Sequence, residues 1–408
     1  MSDSENFICT DVAIVGAGLV GLAAAVALHL AGFSVVIIDS KDPTKADFAA
    51  SKLDVPFDAA WDERIYAISP KNAQWLNNIG VWSLLNQARI GQMQSMEIFG
   101  DETGAPLNLL ASDVNEDNLA FVVESKALMQ ALLKQVKALG IHTLFDSPCE
   151  AVIESANNAL LHLQNHMMVE SKLLLAADGS HSWVRQQLNM PMKMSPYEQA
   201  AIVANFKVEK SHGNIARQWF SQDAGGNNAI LAWLPLPDNT VSIVWSVSTN
   251  YADSLLRLNA DEFTEQVKAA GCEMLGELKL ISSPVAFPLT LQKTNTLVQN
   301  CVVLVGDAAH QVHPMAGQGV NLGFRDVIEL VEIFKNKGQY QALNDSTLLK
   351  QYSRVRKADI LKMILLTDGL YQLFKSQNSV VKKVRNWGLS ATKYHAIRKL
   401  LVENAIAL

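Results

Sequence analysis

Residues 11–40 read DVAIVGAGLVGLAAAVALHLAGFSVVIIDS. The apolar run Val12–Val15 predicts a buried strand that stops at Gly16. An alanine-rich stretch from about Leu19 to Leu30 predicts a helix, and Gly32 ends it. Val35–Ile38 predicts a second strand, ending at Asp39. The whole is a βαβ opening. Gly16, Gly18 and Gly21 fall at the first strand–helix junction in the pattern G-x-G-x-x-G. Gly16 permits the tight turn, Gly18 lets backbone approach a pyrophosphate, and Gly21 allows the helix to pack closely on the strand. The helix N-terminus offers free N–H groups and partial positive charge to a phosphate. Asp39, 18 residues beyond Gly21, can accept hydrogen bonds from ribose hydroxyls. Strand, glycines, helix and terminal acid together point to a bound dinucleotide.

The rest of the chain agrees with a large α/β protein. With 408 residues and 49% hydrophobic content, it can bury a substantial core, so global disorder is excluded. Its four cysteines, Cys9, Cys149, Cys272 and Cys301, form no C-x-x-C pair. Neither a zinc knuckle nor a disulfide framework is signalled, and buried free thiols in a reducing compartment are expected. The polar, acidic start MSDSENFICTD does not read as a secretory signal. No stretch of 18 uninterrupted apolar residues predicts a membrane-spanning helix. A net charge of −6 argues against nucleic acid as a partner. That average hides an asymmetry: Lys350–Leu408 carries 12 Lys+Arg against 3 Asp+Glu, or +9, and the remainder carries 22 against 37, or −15. The expected location is cytoplasmic, with a peripheral contact at the inner face of the membrane through the basic C-terminal helices.

Further elements are legible in outline. Lys41–Asp62 reads as a long loop, Arg64–Ser69 as a short strand, and Asn72–Asn86 as a helix interrupted at Gly80. Lys126–Leu139 predicts a helix, and residues 173–185, LLLAADGSHSWVR, predict a buried strand, a turn and a helix start. Ala200–Val247 is β-rich, with turns at Gly225–Asn227 and Pro237–Asn239, and predicts an inserted sheet. Trp219, Phe220, Trp233 and Trp245 lie on it, as core or as the wall of an aromatic pocket. Asp261–Ala270 and everything after about Asp345 read as helix.

Residues 301–326, CVVLVGDAAHQVHPMAGQGVNLGFRD, pose a choice. Asp307, His310 and His313 have the chemistry of a two-His, one-carboxylate metal site. Their spacing is not that of ligands on a helix or hairpin, however, and a dinucleotide site is predicted independently. The alternative is that Val302–Val305 is a strand whose C-terminal Gly306 and Asp307 reach the same sheet edge as Gly16. Asp307 would then hold another sugar-like hydroxyl, Gly317, Gly319 and Gly323 would let backbone approach a planar ligand, and the histidines would fix the loop by hydrogen bonds. This reading assigns no metal.

Three motifs in order carry a resemblance. Gly16–Gly21, then Ala177-Asp178-Gly179 with Ser182 and Arg185, then Gly306-Asp307 make the chain similar to the flavin-dependent aromatic hydroxylases of the para-hydroxybenzoate hydroxylase type. HPMAGQGVNLGFRD (313–326), Asp62-Glu63-Arg64, Leu234-Pro235-Leu236, Thr367-Asp368 and Arg385-Asn386 most resemble the ubiquinone-biosynthesis hydroxylases within that family. The resemblance implies an α/β fold: a Rossmann-like FAD-binding domain (1–75, 100–185, 285–345), an inserted β-rich substrate domain (76–99, 186–284) and a C-terminal helical region (346–408). It implies FAD held by Gly16, Gly18, Gly21, Asp39, Lys126, Asp178, Gly179, Gly306, Asp307, Gly319 and Asn321, with Asp307 on the ribityl chain. Lys126 stands where relatives have an arginine, keeping the charge and losing the planar fork. Arg64, Pro314, Gly317 and Gln318 would surround the flavin ring and substrate. The implied reaction is hydroxylation of a polyprenylated phenol or quinol with NAD(P)H and O2, within a ubiquinone-biosynthesis complex. A flavoenzyme acting on another aromatic or prenyl substrate, or a non-catalytic scaffold of the same fold, are the alternatives. Asp307→Ala is expected to lose FAD on purification, whereas metal analysis of His310→Ala should match that of the unaltered protein.

Overall fold

A computed structural model describes residues 6–45, 60–100, 106–312 and 318–375, together with Lys399 and Val402. The first strand, Phe7–Val15, begins five residues before the apolar run that signals it, because its early residues pair with Met168–Ala176 while staying partly exposed. Its last four residues are buried on both faces and pair in parallel with Val35–Ile38 on one side and Met168–Ala176 on the other. A parallel sheet covered on both faces requires such runs. Val302–Leu304 adds in parallel beyond Met168–Ala176, with Leu304 opposite Ala176. Val15, Ala176 and Leu304 therefore end side by side, and the turns after all three open at one edge of the sheet.

Helices cover this sheet. Leu19–Leu30 starts at Gly18 and is buried from Gly21 to Leu28. Gln318–Lys335 packs beside it, and Ser346–Lys375 packs against that helix. The helix expected over Asn72–Asn86 is an α-helix over Pro70–Asn78 and a separate 3₁₀ turn at Trp82–Leu84. Pro70 starts the first piece with no donor to lose. Gly80, at φ +77°, turns the chain out of the helix.

The inserted sheet is larger than Ala200–Val247. Its long strand, Lys193–Val208, pairs with Thr240–Ser248 and with Val285–Lys293. Asn228–Leu236, Ile215–Gln222, Ser95–Phe99 and Leu107–Leu110 continue it. The strands Leu107–Leu110 and Val285–Lys293 thus lie in the second sheet. At its other end His310–Gln311 pairs with Gln292–Lys293, tying this sheet to the turn after Leu304. A three-stranded sheet of Ile65–Ile68, Ala120–Glu124 and Gly91–Met93 sits between the two.

Strand alternation separates the aromatic residues of the insert. Trp219, Trp233 and Trp245 share one face with Ile202 and Ile243 and form a core with Phe263 beneath the helices Thr249–Leu255 and Ala260–Ala270. Phe220 points the other way, toward Ile230 and Tyr197. Cysteine burial is also uneven. Cys301 is buried and Cys149 half-buried, but Cys9 and Cys272 are exposed. Cys9 lies in the exposed start of the first strand, and Cys272 in the left-handed turn after Ala270, at φ +53°. Trp233→Ala, which empties the centre of the insert core, is expected to lower stability by about 3–5 kcal/mol in urea unfolding.

Candidate active site

The first strand–helix turn is built by close contact. At Gly16, with φ +108°, an added Cβ would lie 2.4 Å from the carbonyl oxygen of Ala177; at Gly21 it would lie 2.0 Å from the oxygen of Gly16. These two glycines pack backbone on backbone. At Gly18 nothing lies within 4 Å of the Cβ position, so its backbone faces open space. Asp39 has a part the sequence did not reveal. Its Oδ2 accepts the Ala17 N–H at 2.7 Å and its Oδ1 the Lys41 N–H at 2.9 Å, so it staples the glycine turn as well as bordering the cleft.

That cleft, about 490 Å³, is lined by Gly16, Gly18, Asp39, Cys149, Asp178 and Gly179 among others. Asp178 accepts the Val184 N–H through Oδ2 at 3.1 Å, while its buried Oδ1 has no partner. Burial raises its pKa, with Ser182 and the following N–H groups opposing. Gly179, at φ +82°, also faces open space. Arg185 braces the turn: its guanidinium donates to the Ala308 oxygen at 2.8 Å and to the Ser180 oxygen at 2.8 Å, joining the second motif to the third. An open glycine backbone, a helix N-terminus, two acids and a buried unpartnered acceptor fit the sugar–pyrophosphate half of a dinucleotide.

The third motif lies at the other end of this edge. Burial raises the pKa of Asp307, while the neighbouring His310 and Arg64 oppose the rise and Asp326 adds to it. Arg64 lies with its guanidinium carbon 5.3 Å from the Tyr66 ring and 5.7 Å from the Phe287 ring. Arg64, Tyr66, Asp307 and the edge of the inserted sheet therefore converge. The segment carrying Arg64 is anchored from below by a buried ion pair absent from the sequence reading. Glu124 receives Arg89 through both carboxylate oxygens at 2.8 Å and also accepts the Asp62 N–H at 2.9 Å. The Arg89 guanidinium lies 4.0 Å from the Trp61 ring centre.

Two assigned residues are occupied with the protein itself. Lys126 lies 3.6 Å from Asp62 and 3.5 Å from Glu63, with its side chain half in solvent. Asn321 is fully buried: Oδ1 accepts the Ser69 N–H at 3.0 Å and Nδ2 donates to the Ala67 oxygen at 2.7 Å. It braces the strand after Arg64. Gly319, two residues earlier, has open space at its Cβ position. Gly306, at φ +58°, and Gly323 both press on Val20, which seats the third motif on the first helix. His310 Nε2 lies 2.7 Å from the Asp326 carboxylate, which accepts from it deep in the protein. His313, Pro314 and Gly317 lie outside the described residues, as does the side chain of Gln318.

Comparison with known proteins adds the family. Residues 68–365 match the model of the FAD binding domain family, and residues 11–93 match that of the FAD dependent oxidoreductases. The chain is 33% identical to ubiquinone hydroxylase UbiL of Rhodospirillum rubrum, over 97% of this chain and 89% of that protein. It is 32% identical to 3-demethoxyubiquinol 3-hydroxylase of Escherichia coli, over 96% of each. Among solved structures, p-nitrophenol 4-monooxygenase PnpA of Pseudomonas putida shares the fold, with a TM-score of 0.76, 16% identity and 98% of each chain covered. The glycine turn, the unpartnered Asp178 oxygen and the buried Asp307 lie along one sheet edge, and the chain belongs to the FAD-dependent hydroxylases of ubiquinone biosynthesis.

Proposed function

We propose that this protein hydroxylates the aromatic ring of a polyprenylated phenol or quinol, with NAD(P)H and O2 as co-substrates. The observation that carries this reading is a row of residues crossing the inserted sheet. Phe220 pairs with Ile230, Ile230 with Ser246, Ser246 with Ala201, and Ala201 with Phe287. Directly opposed residues share a face, so the five form one line about 5 Å apart. Small residues, Ser246 and Ala201, lie between bulky ones, and the row is buried from Phe220 to Ala201. The line ends at Phe287, 38% exposed, against Arg64. That exposed ring offers a planar substrate a face to stack on, and the named activities of the relatives supply its chemical class.

FAD, when bound, supplies the redox chemistry with NAD(P)H and O2. The chain supplies position and field. Gly16, Gly18, Gly21, Asp39, Asp178 and Gly179 hold the nucleotide half. Gly306, Asp307 and Gly319 hold the ribityl and ring half. Arg64 sets a fixed positive charge beside the substrate ring. A cation there favours phenolate character, which makes the ring carbons more electron-rich. The apolar sheet face keeps water from the reacting atoms.

No helix among the described residues is long and apolar enough to cross a membrane. The outer face of Ser346–Lys375 offers another way to meet a lipid-borne substrate. Lys350, Arg354, Lys357 and Lys362 are exposed there, beside Leu361 and Leu365, which are 51% and 66% exposed. None of the exposed residues described on this helix is acidic. This pattern suits an anionic bilayer surface. The basic residues Lys382, Lys383, Arg385, Lys393 and Arg398 lie outside the described residues.

Aerobic turnover of a prenylated phenol under oxygen-18 should place one labelled atom on the product ring; an unlabelled product would exclude the reading. Arg64→Ala should retain FAD and lower the hydroxylation rate about tenfold or more. FAD affinity should also depend on pH. The carboxylate of Asp307 is the form that accepts ribityl hydroxyls, and its pKa in the free protein is raised by burial. Affinity should therefore fall as pH drops through that value, and Asp307→Asn should flatten the profile in a fluorescence titration.

A further inference from the structure

A buried group of charges lies behind the third motif, outside the cleft. Asp326, on the helix Gln318–Lys335, is fully enclosed. Its Oδ2 accepts the Gly306 N–H at 2.8 Å and meets His310 Nε2 at 2.7 Å. Its Oδ1 accepts Arg356 Nε at 2.7 Å. Arg356 belongs to the C-terminal helix Ser346–Lys375, where Asp359 holds its second nitrogen at 2.5 Å and Arg325 lies 3.3 Å from Asp359. One turn earlier on the same helix face, the Tyr352 hydroxyl donates to the Leu304 oxygen at 3.1 Å. This helix thus holds both ends of Leu304–Gly306, immediately before Asp307: Tyr352 directly and Arg356 through Asp326.

Burying ion pairs is an expensive way to join two helices. Apolar residues of similar volume would serve stability as well or better. What the charged pair adds is direction: each Asp326 oxygen has fixed partners, and one of those partners is the Gly306 amide. We infer that Asp326 and Arg356 are positioning residues for the cofactor, fixing the Gly306–Asp307 turn so that the C-terminal helix forms part of the FAD site. The inference rests on the reading of Asp307 as a ribityl contact. It links Arg356, 49 residues downstream of Asp307, to FAD retention, without any contact between that side chain and the flavin.

The test is a mutant cycle on FAD affinity, measured by flavin fluorescence on the full chain. Arg356→Met is expected to weaken binding at least tenfold, and Arg356→Lys, which keeps the charge but not the fork, by less. In an Asp307→Ala background, Arg356→Met should add less than about threefold, because its effect runs through Asp307. Fully additive losses would overturn the inference, as would unaltered affinity in Arg356→Met. If Asp307→Ala itself keeps FAD, the reading of Asp307 fails instead, and the two failures are distinct. Should Arg356→Met not fold, hydrogen exchange on the unaltered protein gives the same answer. Coupling is reciprocal, so FAD should slow exchange both at Gly306 and around Tyr352–Ile360. Unchanged exchange in that segment would overturn the proposal.

Discussion

Only a hydrogen fits between the α-carbon of Gly16 and the carbonyl of Ala177, and the rest of the structure depends on that contact. An added methyl group would meet the Ala177 oxygen at 2.4 Å. The contact lets the turns after two parallel strands lie against each other. Gly21 repeats the device between helix and turn, and Gly323 and Gly306 extend it to the third motif through Val20. A dinucleotide site needs backbone dipoles at close range, and side chains at these positions would keep them apart. Close packing and ligand access are here one constraint.

The βαβ opening and the Gly306–Asp307 turn were legible because each repeats a local pattern with a local cause. Val12–Val15 and Val302–Val305 announce buried parallel strands, and the glycines mark where backbone must approach backbone. The inserted sheet was legible as β-rich, but its extent was not. Lys193–Met194 and Val285–Lys293 alternate poorly because one strand bends at a bulge after Pro196 and the other leaves apolar residues exposed toward the site. The fate of the aromatic residues needed strand parity, which fixes Phe220 against Trp219 only once the register is known.

The supports of the site were the least legible part. Asn72 meets Asn321, Arg89 meets Glu124, and Asp326 meets Arg356, each across at least 30 residues and each buried. Sequence spacing carries no trace of such meetings. One signal existed. Asp326 falls on the apolar stripe of its helix, four residues after Leu322 and four before Leu330, both fully buried. A charge on a buried stripe requires a partner. The same charge accounts for His310, whose ring meets the Asp326 carboxylate.

The order in which the strands and helices join has a consequence for synthesis. The central strand Phe7–Val15 cannot gain its neighbour Met168–Ala176 until the chain has grown past 176. The Leu304 end waits for Tyr352 and Arg356. At roughly 5–20 residues per second, Arg356 is added about 17–70 s after Gly16. Until then the glycine turn and its apolar strand stay without their far wall. The nascent protein therefore has half a cofactor site for most of its translation, and a chain cut short before the C-terminal helix would lack the brace on its last motif.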